Sequence, residues 1–101
     1  TSGGQEDHVS MGATACWNLV ESSVHLSQVL ACELIIACEG LEYREAEPAE
    51  HVNALYRLVR GVCGPLDGDR STSKEIERVA RELSNGGWLA RIEAECGRLP
   101  R

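Results

Sequence analysis

The residues best placed to do chemistry lie within the first twelve positions of this 101-residue chain. Glu6, Asp7 and His8 follow one another there, in the polar segment T-S-G-G-Q-E-D-H-V-S-M-G. When two neighbouring carboxyls are buried together, repulsion and desolvation raise the pKa of one, as a general base working near neutral pH requires. The structural alternative, which spacing alone favours, is that Asp7 or Ser10 caps the next helix and Glu6 favours the positive end of its dipole. We interpret His8 as a hydrogen-bonding partner of the loop.

Cysteine and histidine spacing predicts no metal site. The chain has five cysteines but neither a C-x-x-C pair nor an H-E-x-x-H helix, the usual zinc patterns. Cys16, Cys32 and Cys38 fall in one predicted helix, where they cannot readily bridge to each other. We therefore expect buried, reduced thiols in a cytoplasmic protein. His25 and His51 are interpreted as ordinary helix residues, and the aromatic side chains as packing residues.

The distribution of charge argues against nucleic acid as a partner. Residues 1–50 contain nine acidic residues and one arginine, whereas residues 51–101 contain seven acidic and nine basic residues. Phosphates require clustered Lys and Arg, which the acidic first half lacks, while the mixed second half is typical of solvated helices. No unbroken apolar run reaches the roughly 18 residues of a membrane span, and no signal peptide is recognisable, so no membrane partner is predicted.

The fold class predicted from periodicity is all-α, with one long helix and three shorter ones. Apolar residues recur every three or four positions over about residues 10–39, and Gly40 is predicted to end this helix. Such a helix is about 45 Å long at 1.5 Å per residue, which exceeds the diameter of a 100-residue globule. It is also apolar off its main stripe, at Val24, Val29, Ile35 and Ile36. We therefore expect the helix to need more protein around it.

The remaining helices are predicted from their caps and turns. A second helix spans about residues 48–62, followed by a turn at residues 64–69. Thr72 and Glu75 have the spacing of a capping box for a third helix, whose apolar face would be Ile76, Val79, Ala80 and Leu83. Residues 85–87 end it, and a short last helix carries Trp88, Leu89, Ile92 and Cys96.

The first twelve residues resemble the histidine ammonia-lyase motif T-S-A-N-Q-E-D-H-V-S-M-G, found in the aromatic amino-acid lyase and aminomutase superfamily. A looser similarity includes V-L-A-C-E-L at residues 29–34, which resembles the "VLAIEL"-like helix of the family, and extends from Asp69 to the end. The resemblance therefore covers essentially the whole chain, although its specificity resides in the first twelve residues.

This resemblance implies an active site that is shared with other polypeptide. Family members are mostly helical homotetramers, and their electrophilic cofactor, 4-methylidene-imidazol-5-one, forms from an internal Ala-Ser-Gly. By resemblance, Glu6 is the active-site glutamate near the substrate's amino group and Gln5 lines the same pocket. Residues 1–9 would be an active-site loop, and residues 10–101 a carboxy-terminal helical segment whose long helix joins the central bundle of the tetramer. The implied partners are the rest of the subunit, further copies and a small amino-acid substrate.

Two departures from the family pattern limit what this chain can do. Gly3-Gly4 replaces the usual Ala-Asn, and the chain contains neither an Ala-Ser-Gly nor the family's catalytic tyrosine loop. The chain alone is therefore expected to be inactive. Glu6 favours histidine, deaminated to urocanate, because related phenylalanine and tyrosine lyases and aminomutases tend to have Gln there. Those enzymes remain alternatives, as does a non-catalytic helical assembly module from a truncated lyase.

Overall fold

The computed structural model describes Gly3 and residues 9–100. This part of the chain forms four α-helices and contains no strand, which confirms the all-α prediction. In chain order, the helices are α1 (Gly12–Glu42), α2 (Glu50–Arg60), α3 (Ser73–Asn85) and α4 (Gly87–Cys96).

Helix α1 runs beyond its predicted end, because Gly40 lies inside the helix and does not terminate it. A glycine inside a helix costs only about 1 kcal/mol relative to alanine. The continuation of α1 past Gly40 is supported by Glu42, whose carboxylate accepts hydrogen bonds from Tyr56 and Arg60 of α2. The helix then closes with short-range hydrogen bonds from the Tyr43 and Arg44 amides to the carbonyls of Gly40 and Leu41.

The core lies where the second half of α1 meets α3, and where α2 meets α4. On α1 the buried residues are Ala31, Ile35 and Cys38. The leucines that recur every three or four positions along α1 are mostly outside this set: Leu19 is 67% exposed and Leu26 57% exposed, whereas Leu34 packs partly buried against the core. Because α1 is apolar on several faces, as predicted, the position of α3 decides which face is buried. The rest of the core consists of Ala54, Val59, Cys63, Val79, Ala80, Trp88 and Ile92.

Helix α3 confirms the predicted apolar face but not the predicted cap. Val79 and Ala80 are buried, and Ile76 and Leu83 pack against the core. Thr72 occupies the N-cap position without a side-chain cap hydrogen bond. The α3–α4 connection is a single Gly86 with a φ of +72°, a left-handed conformation that glycine adopts without the penalty of a Cβ.

The described chain is elongated, with principal extents of 69 × 37 × 20 Å. Its radius of gyration is 19.8 Å, compared with about 13 Å for a compact domain of 100 residues. By length and composition alone, helix α1 is long and apolar enough to cross a membrane. The core helix of a soluble protein can be equally long and apolar. The absence of an unbroken apolar run of about 18 residues therefore did not exclude a helix of membrane-spanning length and composition.

Candidate functional site

The two residues predicted to form the site, Glu6 and Gln5, lie outside the described residues. The structure describes the adjoining segment, from Val9 into the first turn of α1. There the Met11 carbonyl accepts the first helical hydrogen bond from the Ala15 amide at 2.8 Å. The Ser10 hydroxyl accepts a long one, 3.4 Å, from the Gly12 amide.

The start of α1 contains no negative charge of its own. Its N-cap residue is Met11, which makes no side-chain cap hydrogen bond, and the first turn contains no acidic residue. The first amides of a helix lack partners within the helix and carry a partial positive charge. This end of α1 is therefore electrostatically suited to follow a segment that carries carboxylates.

The first half of α1 extends beyond the rest of the described chain. Its inner face, the side that carries Ala31 and Ile35, is joined to the end of α3 at Ser27, where the hydroxyls of Ser84 and Ser27 lie 3.0 Å apart. Before that point the same face carries Val20 and Val24, which are 61% and 55% exposed. The inner face therefore continues as an uncovered apolar surface toward the amino terminus.

A second uncovered surface lies on the opposite side of α1. At 100° per residue, Leu19, Leu26, Val29 and Ile36 lie about 130–150° around the helix from the centre of the buried face, on both sides of the opposite direction. All four side chains are more than half exposed. We call this set the outer stripe. Apolar surface on two opposite sides of one helix is typical of a helix surrounded by others.

The other end of α1 carries a network of charged side chains around Arg60. The Arg60 guanidinium lies 2.9 Å from Glu39 and 3.0 Å from Glu42, and its side chain is only 10% exposed. Tyr56 donates a 2.5 Å hydrogen bond to Glu42. The Nη2 atom of Arg60 makes the ion pair with Glu42 but no hydrogen bond of good geometry to any described residue.

The pKa shifts in this network indicate charges that are fixed in place. Burial alone would lower the pKa of Arg60, but Tyr56 and the carboxylates of Glu39 and Glu42 raise it above its ordinary value. The hydrogen bond from Tyr56, aided by Arg60, lowers the pKa of Glu42, and the same bond raises that of Tyr56. Since none of these groups is adjusted toward neutral pH, the network is structural. The sequence analysis missed it because its members are 14 to 21 residues apart.

The cysteines of the described chain are free thiols. Burial raises the pKa of both Cys38 and Cys63, so these two are protonated near neutral pH and are poor nucleophiles. The described residues contain no group of three potential metal-ligating side chains.

The predicted loop and the two helices that follow it match a single protein-family model. The model of the family "Aromatic amino acid lyase" matches residues 1–61, which include the loop, α1 and α2. No solved structure matches the chain.

Similarity to individual proteins extends over nearly the whole chain. The chain is 38% identical to a histidine ammonia-lyase of Gloeobacter violaceus, over 98% of this chain and 20% of that protein. It is 39% identical to the histidine ammonia-lyase of Symbiobacterium thermophilum, with the same coverage. Identity to the histidine ammonia-lyase of Caenorhabditis elegans is 41%, over 89% of this chain and 14% of that protein. The chain thus spans about a fifth of the length of the first two relatives.

Proposed function

This chain belongs to the aromatic amino acid lyase family, and from that premise we propose that it contributes an active-site glutamate to a histidine ammonia-lyase. The reaction is the non-oxidative deamination of L-histidine to urocanate. Glu6 would act near the substrate's amino group, and Gln5 would line the same pocket. The observation that carries the proposal is the motif Q-E-D-H-V-S-M-G at residues 5–12, in a chain whose relatives are histidine ammonia-lyases.

The electrophile of this reaction would come from outside the chain. The proposed cofactor, 4-methylidene-imidazol-5-one, activates the substrate for loss of ammonia and requires an Ala-Ser-Gly that this sequence lacks. The described residues show no side chains arranged around such a group, so we assign none of them to it. The proposal is that this chain supplies one wall of the site, that the rest of the subunit supplies the cofactor, and that the chain alone is inactive.

The two uncovered surfaces of α1 support a role in a helical bundle, which we propose to be that of a homotetramer. The inner face beyond α3 and the outer stripe together leave apolar side chains exposed on both sides of a 31-residue helix. Exposed apolar area of this extent marks a surface that other protein covers. In this arrangement, other helices cover α1 and hold the loop that precedes it, so assembly and site formation are coupled.

The environment proposed for this protein is the cytoplasm, without a membrane or nucleic acid as partner. The acidic first half supports the absence of a nucleic-acid partner. Within α1, Glu21 and Glu33 interrupt the apolar surface, and burying each in lipid would be costly. A helical bundle can place such side chains at polar positions, so we prefer it over a membrane span.

The experiment that tests the proposed function is an activity and mass measurement on the intact protein that carries this segment. We expect L-histidine to give the ultraviolet absorbance of urocanate, and the intact mass to show the dehydration that accompanies cofactor formation. Formation of cinnamate from phenylalanine, or of coumarate from tyrosine, would instead identify one of the alternative substrates. Formation of a β-amino acid would indicate an aminomutase. If the chain belongs to a non-catalytic assembly module, we expect neither the dehydration in the intact mass nor any product.

A further inference from the structure

The connection between α2 and α3 is held together by side chains. Residues 61–72 contain no complete helix or strand, so their backbone groups need other partners. Arg70 donates to the carbonyl of Gly64 at 2.7 Å and to that of Pro65 at 3.0 Å. From the opposite side, Glu39 of α1 accepts a hydrogen bond from the Leu66 amide at 3.1 Å. The turn is thus fastened both to itself and to α1.

The same arginine also connects the turn to the start of α3. Its guanidinium lies 3.2 and 3.4 Å from the two carboxylate oxygens of Glu75, in the first turn of that helix. One side chain therefore binds two carbonyls and one carboxylate. This requires the several N–H donors of a planar guanidinium, because a lysine ammonium offers three donors from a single point.

The turn covers the thiol of Cys63. Cys63 is only 1% exposed, and its sulfur lies 3.7 Å from the Arg70 guanidinium. Cys38 belongs to the same core cluster and is 4% exposed, but it lies on α1, where its charged neighbours are Arg60, Glu39 and Glu42. Opening of the turn alone would therefore expose one of the two thiols before the other.

We propose that Arg70 is a clasp that closes residues 61–72 and thereby holds α3 against α1. When the clasp opens, the turn separates locally and makes Cys63 reachable from solvent while α2 stays attached to the end of α1 through Arg60 and Tyr56. Arg70 is a positioning residue in this proposal, which goes beyond the proposed function and does not depend on it. Its failure would leave the assignment of Glu6 untouched.

The test is the rate at which a thiol reagent labels each cysteine of the intact native protein, read by peptide mass spectrometry. In Arg70→Lys, which keeps the charge but not the fork of donors, we expect labelling of Cys63 to rise about tenfold or more over wild type, whereas labelling of Cys38 stays within about twofold. Glu75→Gln removes the ion pair from the other side and should produce the same selective increase.

The matched control is Arg78→Gln, an exposed arginine on α3 for which the structure records no ion pair, and it should label like wild type. Unchanged labelling of Cys63 in both Arg70→Lys and Glu75→Gln would overturn the proposal. Equal acceleration of Cys38 and Cys63 would also overturn it, because the loss would then be global. If Arg70→Lys does not fold, the ratio of Cys63 to Cys38 labelling rates in Glu75→Gln tests the proposal instead.

Discussion

At the scale of single residues, one arginine fastens α2 to the end of α1. Arg60 comes from α2, and its ion-pair partners Glu39 and Glu42 come from the last turns of α1. Because the guanidinium is largely buried, removing it leaves carboxylates without their partner, which costs more than the loss of an exposed pair. The extension of α1 past Gly40 belongs to this network, since it brings Glu42 within reach of Arg60.

Replacement of Arg60 should loosen this junction. We expect Arg60→Gln to lower the free energy of local opening of α2 by about 1–2 kcal/mol, since Glu39 is left with only part of its hydrogen bonding. Native-state hydrogen exchange of the α2 amides in the intact protein measures this quantity. Arg78→Gln is the control and should change it by less than about 0.5 kcal/mol. Equal effects of the two variants would contradict the structural role of Arg60.

The same network makes a signed prediction about pH. The pKa of Glu42 is lowered by folding, so its stabilising effect is present above its ordinary value of 4.5 and is lost as the pH falls through the folded-state pKa. Glu42→Gln should therefore weaken protection of the α2 amides near pH 7, and its difference from wild type should shrink steadily as the solution is acidified below pH 4.5. A difference that persists on acidification would show that charge at Glu42 is not the cause.

At the scale of elements, α1 has one face that packs within this chain and others that no described residue covers. Ala31 is completely buried by packing within the chain, whereas Val29, two residues away, is 62% exposed. The two positions differ in what they contact, although both are small apolar residues of the same helix. In the proposed bundle, positions such as Val29 would contact other protein, whereas positions such as Ala31 contact this chain.

A substitution on the outer stripe should therefore affect assembly and leave the local fold intact. We expect Val29→Glu to dissociate or prevent assembly of the intact protein, because it places a charge in a buried apolar contact. Sedimentation velocity measures this. The matched control is Arg78→Glu, which also introduces a glutamate on an exposed helix position and should leave assembly unchanged. Normal assembly of the Val29→Glu protein would show that the outer stripe is not an interface.

At the scale of the whole molecule, the chain has too little core for its length. The described residues bury ten apolar side chains, while α1 alone exposes many large ones. A small domain with an under-filled core is only marginally stable, and the elongated shape leaves more apolar surface in water than a globule would. In its physical properties the chain thus resembles a part of a larger structure, and it spans about a fifth of the length of two of its relatives.

The isolated 101-residue chain should consequently self-associate or fold poorly. We expect sedimentation velocity to show concentration-dependent species larger than a monomer, or thermal melting monitored by circular dichroism to be broad. Both outcomes are consequences of the exposed faces of α1. A monodisperse monomer that melts cooperatively would count against the bundle.

The sequence predicted the helices better than it predicted their contacts. The face of α3 could be identified because polar residues clearly flank Val79 and Ala80. In contrast, α1 is apolar on several faces, and only the position of α3 selects the buried side. The spacing of Thr72 and Glu75 fitted a capping box, but Arg70 competes for the same carboxylate and takes it. The sequence motif assigned Glu6 and Gln5 to a site by resemblance alone, and because both lie outside the described residues that assignment stays a prediction.

The central claim, that Glu6 is an active-site residue, is tested most directly by the turnover of L-histidine in the intact protein. Glu6→Gln removes the carboxylate and keeps the size of the side chain, so we predict a loss of turnover by orders of magnitude while the tetramer persists in sedimentation velocity. Glu45→Gln, an exposed residue of the α1–α2 connection, is the control and should turn over like wild type. Near wild-type production of urocanate by the Glu6→Gln protein would contradict the assignment.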